Sequence, residues 1–235
     1  MSHFKFKKIL IENQDIDIKN YDEFMYNPIK REKIKFLDKV VVGNGTWSIN
    51  KDTGLVDVDG DVNMNRMYLT KIPVKFGKVK GSFYCVSNLL TSLEGAPQSV
   101  GGDFKCNLNK LTSLVGAPQS VGRDFYCWYN DLTSLVGAPQ SVGRDFYCWH
   151  NDLTSLEGAP QLVKGNFDCT NNQLTSLVGA PKSVGGYFYC WSNRLISLKG
   201  APKLVNGDFD CSGNKVDFTE DDVCTVSDVK GNIIV

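Results

Sequence analysis

The chain has 235 residues, and its 26 lysines and arginines balance 26 aspartates and glutamates, so the formal net charge is zero. That balance argues against a general nucleic-acid binder, whose phosphate contacts call for an excess of Lys and Arg. No stretch reads as a secretion signal or is apolar for long enough to span a membrane, so a cytosolic location is expected.

Residues 1–18 carry Phe4, Phe6, Ile9 and Leu10 and read as a strand or an interaction arm. Residues 20–39 hold Tyr21, Phe24, Met25, Ile34, Phe36 and Leu37 and predict helix, interrupted near Pro28. Val40–Val42, Thr46–Ile49 and Leu55–Val58 alternate like strands, with Gly-rich turns between them. Residues 1–57 are therefore expected to form a mixed α/β N-terminal cap.

From there to residue 215 the chain repeats. Cysteine recurs every 21 residues, at Cys85, Cys106, Cys127, Cys148, Cys169, Cys190 and Cys211. Three residues after each stands an asparagine: Asn88, Asn109, Asn130, Asn151, Asn172, Asn193 and Asn214. A fixed period of this size is the signature of stacked repeats, so residues 58–215 predict a solenoid. Two consecutive units, Leu111–Asp131 and Leu132–Asp152, differ only where His150 replaces Tyr129.

Each unit can be read in physical terms. Phe-x-Cys is a short strand with one face buried, one strand per repeat, stacking into a parallel sheet. The asparagine follows where the chain turns, and its amide is expected to satisfy backbone groups of its own and the next turn. Two leucines, such as Leu111 and Leu114, return to the core. Gly-Ala-Pro then interrupts regular structure, and Val121 or Val142 anchors the outer arc. The pattern fades at the first unit, where Val62 and Met64 take the Phe and Cys positions and Met67 the Asn position. Residues 216–235 read as a C-terminal cap, opening with a helix whose N-cap is Thr219 and whose first turn is acidic.

Phe-x-Cys-x-x-Asn-x-Leu-x-x-Leu resembles the leucine-rich-repeat pattern L-x-L-x-x-N-x-L-x-x-L. Asn172-Gln173-Leu174-Thr175-Ser176-Leu177 is similar to the turn of short leucine-rich repeats in secreted bacterial effectors. Gly-Ala-Pro and Val-Gly-Gly-Asp-Phe look closer to repeat proteins of large tailed bacteriophages. The resemblance covers about residues 58–218. It implies a leucine-rich-repeat solenoid with one parallel sheet of short strands and an irregular convex side, and no counterpart of the ubiquitin-ligase domain carried by some effectors. It also implies the cytosol of a bacterial host as the place of action.

The cysteine column reads as small apolar filling of inward positions. Stacked side chains point in parallel, so disulfides and a metal site are disfavoured. Only His3 and His150 are present. A Cys148–His150 dyad is opposed by strand geometry, which points one inward and leaves the other at the turn. With no nucleophile–base set and no phosphate-binding fingerprint, no enzyme activity and no cofactor are expected.

The outward columns are the informative ones. The residue between Phe and Cys runs Tyr84, Lys105, Tyr126, Tyr147, Asp168, Tyr189, Asp210. The residue after Cys runs Val86, Asn107, Trp128, Trp149, Thr170, Trp191, Ser212. Tyr129 and His150 lie beside them, and Tyr187 joins a second aromatic cluster with Tyr189 and Trp191. Such a patch is either a binding surface or a ladder of rings covering the sheet. Asp103, Asp124, Asp131, Asp145, Asp152, Asp168, Asp208 and Asp210 are placed outward or at the rim, against Lys105, Lys110, Arg123, Arg144, Arg194 and Lys215. Such a face would repel phosphates and fits a protein partner better than single-stranded nucleic acid.

The expected partner site is thus Tyr126, Trp128, Tyr129, Tyr147, Trp149, His150, Tyr189 and Trp191, with Asp124 and Asp145. The bacteriophage resemblance implies a host or phage protein as partner, in its narrowest form a host defence factor that is inhibited. Carbohydrate stacking on Trp and Tyr, a nucleotide or enzymatic site near residues 1–60, and self-association through an exposed sheet edge remain as alternatives.

Overall fold

A computed structural model describes residues 28–235. Helix α1 spans Pro28–Val40. Pro28 is the first residue of this helix, a position where its missing N–H costs nothing. The expectations for residues 1–27 lie outside the described residues. Leu37 and Val40 carry the helix into the core. Strand β1, Val41–Ile49, pairs antiparallel with β2, Val56–Asn63, through an irregularity between Val42 and Thr46. The two stretches expected as separate strands before Asn50 are one continuous strand.

The strand β2 starts the solenoid, and every later pairing is parallel. The chain makes nine turns in this way. Each complete turn carries two short strands, where the sequence pattern had predicted one. In one turn these are Ser120–Val121 and Phe125–Tyr126, joined by a bend at 122–124. The valines are therefore on a second parallel ladder, Val100 to Val121 to Val142 to Val163. The ladders continue past α2 (Glu220–Val226): Asp228–Val229 and Ile233–Ile234 add a last rung within the expected C-terminal cap.

Phenylalanine fills the interior. The rings from Phe83 to Phe209 stack with centroids 5.1–5.6 Å apart. Each buried ring contributes roughly 2–3 kcal/mol by leaving water, and each stacked pair about 1 kcal/mol more. Leucines such as Leu111, Leu114, Leu132 and Leu135 are fully buried beside them, and Val62 and Met64 fill the degenerate first rung as expected.

Two columns of polar side chains tie successive turns. Asn130 donates from Nδ2 to the carbonyls of Cys127 (3.0 Å) and Cys106 (3.1 Å), and its Oδ1 accepts the Leu111 N–H at 3.0 Å. The same set recurs at Asn109, Asn151, Asn172, Asn193 and Asn214. The bond to Cys127 stays within its own turn as expected, whereas the others reach back to the preceding turn, not forward to the next. The second column lies three residues before the cysteine. There Asp61, Ser82, Asp124, Asp145, Asn166 and Asp208 each accept the backbone N–H of the corresponding residue one turn on.

One glycine in each of these turns combines a positive φ with close approach to the turn before it. Gly137 has φ +92°, and a Cβ there would sit 2.5 Å from the Val115 nitrogen. Any side chain would have to push the neighbouring backbone away.

Candidate functional site

The Phe–x–Cys ladder decides which side chains leave the core. Phe125 and Cys127 are fully buried, so Tyr126 and Trp128 project from the opposite face. One turn later Tyr147 and Trp149 repeat this in register. The Trp128 and Trp149 rings stack 4.4 Å apart at 8°, and Tyr126 lies 5.0 Å from Tyr147.

The chain then turns through a residue with positive φ in every repeat. Leu108, Tyr129, His150 and Asn171 have φ between 50° and 57°. This left-handed conformation costs on the order of 1–3 kcal/mol per non-glycine residue, and the neighbouring asparagine bonds hold it. It places Tyr129 flat against His150, 4.4 Å apart at 8°, with both rings edge-on to Trp149. Trp128, Tyr129, Trp149 and His150 therefore form one continuous body of rings, with the Tyr126–Tyr147 pair as a separate stack on the same face. All of these rings are half-buried except Tyr129, which is exposed. Beside it runs a shallow polar groove of about 520 Å³, lined by His150, Asp152, Gln173 and Arg194 among others.

Of the second cluster, Tyr187 and Tyr189 come together and reach Tyr147, whereas Trp191 stacks on no ring among the described residues. Tyr187 stacks on Tyr189 at 4.0 Å, and its hydroxyl lies 3.2 Å from that of Tyr147. Burial pushes the phenols of Tyr126, Tyr147 and Tyr187 up. All three are neutral donors near neutral pH: Tyr126 donates to Asp124 (3.2 Å) and Tyr147 to Asp145 (3.0 Å).

The acids differ from expectation. Asp103 and Asp124 are buried, not at a rim, because their carboxylates accept backbone N–H groups inside the ladder. They are also ion-paired, Arg123 to Asp103 at 3.5 Å and Arg144 to Asp124 at 3.6 Å. Asp124 and the half-buried Asp145 are thus supports for the tyrosines, and their surfaces offer a partner little. Lys105 lies 5.5 Å from the Tyr84 ring and 4.5 Å from the Tyr126 ring, with Asp103 3.5 Å away.

Cys148 and His150 form no dyad. Cys148 is fully buried and its Sγ donates to the Asp168 carbonyl at 3.4 Å. Burial raises every ladder thiol above its ordinary range, Cys85 to about 12 and Cys211 to about 11. Among the described residues, no three His, Cys, Asp or Glu side chains converge as metal ligands, and no helix is long and apolar enough to cross a membrane.

The sequence placed Tyr187 in the second aromatic cluster but did not show its hydroxyl reaching that of Tyr147, which depends on side-chain rotation.

No protein-family model matches the chain, and no curated protein sequence matches it. Among solved structures it is similar to the leucine-rich-repeat domain of a Shigella effector. The identity is 14% and the TM-score 0.54, covering 94% of this chain and 99% of that one. At this identity the likeness shows the fold: a leucine-rich-repeat solenoid.

Proposed function

We propose that this solenoid is a non-catalytic scaffold that binds a protein through its aromatic sheet face. The observation that carries the reading is the Trp128–Trp149 and Tyr129–His150 double stack, half-exposed on a rigid ladder. Rings already held in place lose little further freedom on binding, which is where preorganised interfaces gain affinity. Tyr and Trp are also the side chains most often found at binding hot spots. The likeness of the repeats to those of large tailed bacteriophages supports a narrower reading, in which the partner is a host protein, such as a defence factor, occluded in the bacterial cytosol.

The test is retention of proteins from bacterial lysate by the wild type and by Trp128→Ala/Trp149→Ala, followed by affinity measurement on any protein retained. The double variant is expected to bind about 100-fold more weakly, with thermal unfolding confirming that it is folded. Equal affinity in the folded double variant would remove the aromatic face from the interface.

A further inference from the structure

Trp191 differs from the other face tryptophans. It is 38% exposed and, among the described residues, stacks on no other ring. It projects on the same face as Tyr189, two residues earlier, and Tyr189 is in register with Asp168 on one side and Asp210 on the other. Tyr189, two residues before the lone indole, is thus flanked by two carboxylates, one rung away in each direction.

Both carboxylates are turned toward the tryptophan column. Asp168 Oδ1 accepts the Thr170 N–H at 2.9 Å, and Asp210 Oδ1 accepts the Ser212 N–H at 3.0 Å and its hydroxyl at 2.7 Å. Neither is ion-paired among the described residues, unlike Asp103 and Asp124. Arg194, three residues after Trp191, pairs with neither. Burial raises the pKa of Asp168 and the nearby Asp210 charge raises it further, whereas His150 acts to lower it. Thr170, standing between Trp149 and Trp191, is 3% exposed. This stretch therefore holds two carboxylates with no ion-paired cation among the described residues, on the same face as an open indole.

Elsewhere the chain fills such a place with its own cation, Lys105 between Tyr84 and Tyr126 above Asp103. At the Trp191 rung the rings and acids are present and the cation is missing. The geometry points to a receiving site here for an arginine side chain of the protein partner, stacked on Trp191 between Asp168 and Asp210. Arginine fits better than lysine because its planar guanidinium stacks on an indole while donating to carboxylates at its edge. The inference rests on the aromatic-face reading and specifies the partner's chemistry.

The test is NMR of the four indole N–H resonances during titration with an arginine-containing peptide and with the same peptide carrying citrulline. The variant Asp168→Asn/Asp210→Asn is titrated in parallel, since asparagine Oδ1 can still accept the Thr170 and Ser212 N–H groups. A saturable shift of the Trp191 indole is expected with arginine, about tenfold or more weaker with citrulline and in the variant. Equal response to citrulline overturns the site, as does silence at Trp191. If Trp128 and Trp149 shift while Trp191 stays silent, the arginine site fails but the aromatic face still binds. Failure of the face itself is read separately, from unchanged affinity in the Trp128→Ala/Trp149→Ala variant.

Discussion

Cysteine sets the chemical character of this interior. Seven thiols lie one behind another in the core, each flanked by the stacked phenylalanines and closed off by the asparagine column. The reactive species of cysteine is the thiolate, and burial raises all seven pKa values. Cys224, on the last helix, is exposed. Labelling the native protein with Ellman's reagent at pH 8 should therefore modify one thiol quickly and the other seven only on unfolding. A second fast-reacting thiol would contradict the burial described here. The sign of the pH dependence follows. The folded thiols titrate above the unfolded value of about 8.5, so their contribution is complete below that pH. It is lost as pH rises toward the folded values, by on the order of 1 kcal/mol per thiol per pH unit.

At the level of elements, the solenoid is made from pieces too short to be stable alone. A two-residue strand gains its stability from the strands above and below it, so the ends need closing. At the C-terminus the last rung is reached through α2, whose Val223 is buried. The Thr219 Oγ1 accepts the Asp222 N–H at 3.2 Å, and the Asp222 carboxylate accepts the Thr219 N–H at 2.9 Å. The Thr219 hydroxyl, donating to the Asp222 carboxylate at 2.7 Å, and the Thr219 N–H lower the Asp222 pKa, so this support is present above the unfolded carboxylate value and fades as pH falls through the folded one. Thr219→Ala should cost about 1 kcal/mol in urea unfolding, and no change would mean that the helix is held by Val223 packing alone. This cap was legible from Thr219 and the three acids that follow it. The second strand of each repeat was not. Ser-Val is too short to show alternation, and its pairing depends on the bend after it, which brings the valines of successive turns into register.

Across the whole molecule, the 21-residue period made the solenoid readable, because one spacing set the register of every turn. The outward columns could be read as well, since alternation about a buried Phe and Cys leaves no other direction for Tyr126 and Trp128. What a column of letters does not carry is the rotation of each side chain. Asp124 and Asp168 both read as outward or rim acids in the sequence, yet one is buried and paired with Arg144 and the other turns to Thr170 with no ion pair among the described residues. The asparagine bonds between turns pointed back instead of forward for the same reason: both directions satisfy the same groups in a repeating chain. The resulting molecule is a stiff rod with aromatic rings massed on two adjacent turns and an acidic, tryptophan-bearing stretch beyond them. The aromatic face is the proposed place where a protein binds, and hydrogen exchange on the complex with a retained partner locates the interface. Slowed exchange is expected at residues 126–129, 147–150 and 189–192. Protection confined to the Gly-Ala-Pro arc, with those segments unchanged, would contradict it.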